Sequence, residues 1–292
     1  MKVRAVAKNE IAKMQSEDWV NHQRRPYVHE GTAYIPVRDG YPFDREIPER
    51  RRYDGRGFFM LGEVAVVHGR RPSDKDLEKI IAFRHPVGII WIRSLLDHTR
   101  TPDAEVMYGN VGEVQHHENG CVYLLDPRKV MFAQGNQEEK RRMAGLIRES
   151  KKNQRVADMC AGIGYFTIPV AGNGAYVHAM EINPVAFGYL QRNIVKNSLS
   201  DRVEAECGDC RELLSGIYDR IIMGHFDAIT MLPDALEHVK QGSVIHLHSL
   251  GPVKDEIRSQ IAGAGFSAEI HVHKVKKYRP HLWHVVQDVM IA

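Results

Sequence analysis

With 292 residues, 43% of them hydrophobic, the chain can bury a full core and has the length for two domains. No apolar run of membrane-spanning length occurs, and Met1-Lys2-Val3-Arg4 leads into charged sequence, so the expectation is a protein with no membrane span and no leader, located in the cytoplasm. The four cysteines, at 121, 160, 207 and 210, form no secreted disulfide framework, and Cys207-Gly-Asp-Cys210 lacks the second pair that a structural zinc site needs.

The formal net charge is only +3, but residues 1–100 hold 19 Lys and Arg against 14 Asp and Glu, and the remainder 21 against 23. In the basic part, Arg24-Arg25, Arg50-Arg51-Arg52, Arg56 and Arg70-Arg71 are interleaved with Tyr27, Tyr34, Tyr53, Phe58 and Phe59. That mixture suits phosphates and exposed bases, although solvated loops have the same composition. Nucleic-acid contact is the expectation. Residues 1–50, rich in Pro, Gly and Arg with few apolar runs longer than 32–37, read as an irregular basic extension.

Residues 51–148 read as a small α+β domain with a linker helix. A strand is expected over 60–67, a helix capped by Ser73 and running to Arg84 with Leu77, Ile80 and Ile81 on one face, and a second strand over 87–92. Asn119-Gly120, which suits a type I′ turn, joins strands over 114–117 and 121–125. In the linking segment, Gly135-Asn136 stops the preceding strand and a helix begins at Gln137, carrying Glu138-Glu139 and then Lys140-Arg141-Arg142. Three adjacent cations cannot share one helix face. Solvent, RNA and a ligand of the following domain all remain open as their destinations.

Residues 149–292 alternate strand and helix. The run Val156-Ala-Asp158 reads as a buried strand, Gly162 and Gly164 as a tight turn that a flat ligand can approach, and Tyr165-Phe-Thr-Ile as a helix start, with Asp158 able to accept hydrogen bonds from that ligand. There is no third glycine of a dinucleotide fingerprint. Asp-x-x-x-Gly-x-Gly resembles instead motif I of the class I S-adenosylmethionine (SAM) transferases. A second strand over 175–180 ends in Glu181-Ile182-Asn183-Pro184, which puts Glu181 where two ribose hydroxyls can donate to one carboxylate and Pro184 at the first position of a helix. Further strands are expected over 203–207, followed by Asp209 at the place of an adenine-holding carboxylate, over 219–225 and over 243–249. His246 and His248 share a face of the last of these and read as packing residues. A helix marked by Val253, Ile257 and Ile261 precedes a closing β pair over 266–275 and 285–291. The fold class is therefore α/β, a Rossmann-like SAM-transferase sheet with a smaller N-terminal α+β domain.

Four separated stretches, Asp158–Pro169, Val130–Met143, Ile222-Met-Gly-His225 and Val275-Lys-Lys-Tyr-Arg-Pro-His-Leu-Trp-His-Val-Val286, resemble the archaeal tRNA wybutosine-synthesising protein 2 family, kin to the tRNA guanosine-37 N1-methyltransferases. The likeness covers about residues 56–292. It implies transfer of the 3-amino-3-carboxypropyl group of SAM to carbon 7 of 4-demethylwyosine at position 37 of tRNA(Phe), with 5′-methylthioadenosine released. No metal and no obligate protein partner are implied. It also implies SAM contacts from Lys140, Asp158, Gly162, Gly164, Glu181, Ile182, Asp209, Cys210, Met223 and Gly224. Lys140 would hold the methionine carboxylate, and His225 is a candidate acceptor for the proton leaving carbon 7.

The sister methyltransferases carry Ser-Pro-Arg-Leu where this chain has Ala133-Gln134-Gly135-Asn136, and Asn-Pro-Pro or Asn-Leu-Pro where it has Met223-Gly224-His225. Both places favour aminocarboxypropyl transfer. The chain departs from the family with Ala133 for Ser, Lys140 for Arg, Cys210 for Asn and His225 for Tyr. Methyl transfer by the same fold, or a non-catalytic RNA-binding role, are the alternatives; retention of Asp158, Glu181 and Asp209 speaks against the last.

Overall fold

The computed structural model describes residues 1–14, 16–48, 53–97, 99–150 and 153–292. Arg50, Arg51 and Arg52, expected to meet RNA, lie outside these residues. The chain forms two compact units, Met1–Asp54 and Gly55–Ala292.

The first unit corrects the expectation of an irregular extension. Strands β1 (Lys2–Ala7), β2 (Tyr27–His29), β3 (Thr32–Pro36) and β4 (Arg45–Glu46) make an antiparallel sheet of order β2-β3-β1-β4, with a one-turn helix α1 (Ile11–Met14) after β1. Trp19, Val20, Ile35 and Val37 are its core, and the Arg4 guanidinium lies 4.5 Å from the Trp19 ring. Two of the strands have three residues or fewer, too short for an alternating pattern to stand out from a loop.

The second unit begins with a four-stranded sheet: β5 (Phe59–Leu61), β6 (Val64–His68), β7 (Gly88–Leu96) and β8 (Thr101–Gly109). The single strand expected over 60–67 is a hairpin, because Gly62, at φ +53°, turns the chain between β5 and β6. Helix α2 (Asp74–Arg84) links the parallel pair β6 and β7, and Ser73 caps it by accepting from the Asp76 N–H. The hairpin of β9 (Val114–Glu118) and β10 (Cys121–Leu125) turns at Asn119 and Gly120, both with positive φ as a type I′ turn requires. Helix α3 (Gln137–Glu149) follows a 3-10 turn at Gln134–Asn136.

The main sheet has seven strands: β11 (Arg155–Asp158), β12 (Tyr176–Glu181), β13 (Val203–Cys207), β14 (Arg220–Met223), β15 (Val244–Leu250), β16 (Ala268–Arg279) and β17 (Leu282–Ile291). Their order is β13-β12-β11-β14-β15-β17-β16, with the first five parallel and β17 antiparallel to both of its neighbours. Helices α4 (Thr167–Ala171), α5 (Pro184–Lys196), α6 (Cys210–Leu213), α7 (Leu232–Leu236) and α8 (Lys254–Gly263) join them. The strand order reverses at β11, so the crevice at the carboxyl ends of β11, β12 and β14 is where a ligand belongs.

The expected boundary at 148/149 does not separate two packing units. Leu61, Ile90, Tyr123, Met143, Ile163 and Ile222 belong to one apolar cluster that runs through both parts. The exposed edge of β10 is sealed by α5: Asn193 and Asn197, four residues apart, accept from the N–H groups of Leu124 (2.7 Å) and Val122 (2.9 Å) and donate to their carbonyls. Two side-chain amides thus replace a neighbouring strand.

Candidate active site

A cavity of about 850 Å³ opens at this crevice, the size of a site for a cofactor with room for a second ligand. One wall is the carboxyl edge of the main sheet. The other is built by β5, by Leu95, Thr99 and Arg100, by the stretch Met131–Asn136, and by the β16–β17 pair.

On the sheet side, Glu181 at the end of β12 is the organising acid. Its Oε2 accepts from the Gly162 N–H at 2.7 Å and its Oε1 from the Asn183 N–H at 2.8 Å. Burial pushes its pKa up, opposed by the N–H groups of Asn183 and Gly162. These donors fix the carboxylate plane and leave lone pairs for hydroxyl groups entering the cavity, which Glu181 lines. Gly162, at φ +59°, lines it too, and a Cβ there would stand 2.4 Å from the Tyr165 ring. Asn183 caps α5 by accepting from Val185 and Ala186, with Pro184 at the first position as expected.

Asp209 caps α6 and is forked by Arg211, whose Nε lies 3.0 and 3.1 Å from its two oxygens. That pairing lowers its pKa, so it faces the cavity as a carboxylate. Ile182 is exposed and lines the cavity, as does Cys210, whose thiol donates to the Met231 sulfur at 3.6 Å. Gly224 and His225 continue the wall after β14. His225 Nδ1 accepts from the Asp227 N–H at 3.2 Å.

Four of the expected ligand contacts do not reach the cavity. Asp158 is fully buried beneath the loop, where it accepts from the Thr167 hydroxyl at 2.7 Å, and burial, with Glu181 nearby, raises its pKa to about 6. It ties the end of β11 to the first residue of α4 and does not line the cavity. Gly164 is needed for packing, since a Cβ there would come 2.7 Å from Ile168 and 3.2 Å from Leu190. Met223 points into the core beneath the sheet. Lys140 is the largest correction. Its Nζ donates to Glu118 Oε1 at 2.7 Å, both side chains are buried, and the rings of Phe132, Tyr165 and Tyr123 enclose it at 4.5, 5.3 and 5.7 Å. Phe132 and Tyr165 line the cavity and Lys140 does not. The neighbouring cations are also committed: Arg141 to Glu138 and Asn119, Arg142 to Glu139 and Asp288.

The far wall holds residues that sequence reasoning passed over: His68, Arg100, Lys276, Tyr278 and His284. Lys276, Tyr278 and His284 lie within the stretch 275–286 that carries part of the family resemblance, which is the signal that could have found them, while nothing in the sequence around Arg100 marks it.

The arrangement offers a nucleoside-sized, hydroxyl-accepting end at Glu181 and Asp209, apolar and sulfur-containing walls, and a cationic opposite end. A SAM molecule fits these groups. The TRM5/TYW2 methyltransferase domain model matches residues 114–276. The chain is 35% identical over 245 residues to the tRNA(Phe) (4-demethylwyosine(37)-C(7)) aminocarboxypropyltransferase of Methanocaldococcus jannaschii, covering 80% of this chain and 97% of that protein. Among solved structures, M. jannaschii TYW2 in complex with AdoMet superimposes with a TM-score of 0.63 at 30% identity, covering 80% of this chain and 99% of the other. Pyrococcus horikoshii TYW2 in complex with MeSAdo gives 0.69 at 30% identity, covering 81% and 91%. The fold, the crevice and these likenesses agree, and the chain belongs to the TRM5/TYW2 family.

Proposed function

We propose that this protein transfers the 3-amino-3-carboxypropyl group of SAM to carbon 7 of 4-demethylwyosine at position 37 of tRNA(Phe). The observation that carries the choice over methyl transfer is that Ala133, Gln134, Gly135, Asn136, Gly224 and His225, from both stretches that separate the sister families, line one cavity. Gly135 and Gly224 stand where the methyltransferases carry arginine and proline or leucine. They leave space for the amino-acid arm beside the incoming base.

SAM supplies an electrophile already activated by its sulfonium. The new bond joins carbon 7 to the γ-carbon, the Cγ–S bond breaks, and the electron pair leaves on the sulfur of 5′-methylthioadenosine. The protein's task is therefore positioning. Glu181, held by two backbone N–H groups, and Asp209, held by Arg211, orient the nucleoside end. The buried rings of Phe132 and Tyr165 line the cavity and exclude water from that part of it. His225 at the cavity wall is the candidate to receive the proton from carbon 7. The partner is tRNA, met at its anticodon loop, and the work belongs in the cytoplasm; no helix among the described residues is long and apolar enough to cross a membrane.

Product analysis tests the reading. Incubation with SAM and tRNA(Phe) bearing 4-demethylwyosine is expected to yield 5′-methylthioadenosine and a base heavier by the aminocarboxypropyl group. S-adenosylhomocysteine as main product, on tRNA with an unmodified guanosine 37, would replace it with methyl transfer.

A further inference from the structure

The reaction requires an anionic arm to be held inside the cavity, and the cation expected to hold it is not available: Lys140 is sealed against Glu118. Another lysine occupies the cavity. Strands β16 and β17 pair regularly up to Lys274 opposite Val285, and a bulge then shifts the register so that Lys276 stands opposite His284. Bulges of this kind re-aim side chains. Lys274 lies over the exposed Trp283 ring at 5.1 Å, whereas Lys276 and His284 both line the cavity.

Lys276 rests directly on Gly135. A Cβ at that position would stand 2.7 Å from both its Cδ and its Nζ, so with any other residue there the end of the lysine would have to shift. Arg100 reaches the same wall, its guanidinium 5.3 Å from the Phe226 ring and its buried Nε without a hydrogen-bond partner among the described residues. Among the described residues no carboxylate is within ion-pair distance of Lys276 or Arg100. Burial, then the charges of Arg100 and Lys140, pull the Lys276 pKa down, and Lys276 and Arg100 add to the burial that brings His284 to about 4. A half-buried pair of cations without a counter-ion is costly unless a ligand supplies the charge.

We propose that Lys276, assisted by Arg100, binds the α-carboxylate of the SAM amino-acid arm and so selects the γ-carbon for transfer. The inference rests on the SAM-dependent reading above. It is favoured over an RNA phosphate by topology. The acids Glu181 and Asp209 come from the β12–β13 side of the sheet and the cations from the opposite edge strand and the segment before β8. The cavity is thus polarised along a ligand with hydroxyl groups at one end and a carboxylate at the other. Gly135 takes part by leaving room for the lysine, which connects the glycine of the linker to the choice of reaction.

Calorimetry on the full chain with SAM, decarboxylated SAM and 5′-methylthioadenosine tests this. Wild type is expected to bind SAM about tenfold or more tightly than decarboxylated SAM. Lys276→Met should reduce that ratio to within about threefold, and Arg100→Met should reduce it partway. Affinity for 5′-methylthioadenosine, which has no carboxylate, should stay unchanged and so report that the variants are folded. A SAM preference that survives in Lys276→Met overturns the proposal, and a simultaneous loss of tRNA affinity would assign the cation to a phosphate. If wild type binds neither SAM nor 5′-methylthioadenosine, the SAM-dependent reading itself fails, a result distinct from a preference retained by the variant.

Discussion

Lys140 and Lys276 show how little a side chain's charge says about its task. Both are lysines close to the cavity, yet Lys140, on α3, is enclosed by three aromatic rings and an acid, while Lys276, on β16, lines the cavity itself. Burial lowers the Lys140 pKa and Glu118 works against that shift. Removing the lysine would leave the Glu118 carboxylate buried and unpaired. Lys140→Met is therefore expected to cost about 3–5 kcal/mol of stability, whereas the double change Lys140→Met with Glu118→Leu recovers much of it. Urea unfolding of the two variants checks this. A single variant as stable as wild type, with SAM affinity lost, would return Lys140 to the cofactor.

At the level of the element, α3 acts as a strut between the linker and the main sheet. Its run of cations is sorted by helical geometry, since successive residues are turned about 100° from one another. Arg142 points at the sheet, where its guanidinium forks Glu139 at 2.9 and 2.6 Å and Asp288 of β17 at 2.6 and 3.0 Å. Asp288 also pairs with His246 Nδ1 at 2.6 Å and lies 3.1 Å from His273 Nε2, and hydrogen bonds from His246 and Arg142 hold it well below the usual carboxylate range. Arg142→Met leaves the buried Glu139 without its guanidinium and takes one of three partners from Asp288, and is expected to destabilise the protein by about 3 kcal/mol; Arg142→Lys should restore only a part, because an ammonium cannot fork two carboxylates at once. Chemical denaturation midpoints decide it, and equal stability of the lysine variant and wild type would remove the fork from the account.

Across the whole molecule, buried titratable groups set opposing dependences on pH. Burial lowers the pKa of His284 to about 4, lowers that of His248 well below its ordinary value, and lowers that of His246. The unfolded chain protonates these rings first, so their contribution is full above about 6.5 and is lost as pH falls towards 4. Asp158, raised to about 6, works the other way, contributing most below its unfolded value and losing that as pH rises through 6. With His248 Nδ1 and His284 Nε2 at 2.9 Å, the pair stays neutral in the fold. Stability is thus expected to fall on acidification from pH 6.5 to 4, by up to about 1.4 kcal/mol per pH unit for each ring fully shifted. His284→Gln should flatten this slope and Asp158→Asn should steepen it. Unfolding midpoints measured through that window would refute the assignment if neither variant changed the slope.

Local patterns alone determined the alternating strands and helices of the main sheet, the Ser73 cap, the Asn119-Gly120 turn, the start of α3 at Gln137 and the acid that ends β12, because each depends on spacing or on a residue with one favoured backbone role. The small sheet of residues 1–54 was not legible, since its short strands become regular only by pairing with each other. Nor was the fate of the cations. Whether Lys140, Arg142 or Lys276 meets a ligand depends on which acids arrive beside it from residues 22, 146 or more positions away, or on a bulge that turns one strand. Tertiary structure decided that Glu118 and Asp288 neutralise the linker helix while Lys276 remains in the cavity, because the cost of burying charge is settled by neighbours in space and not by neighbours in the chain.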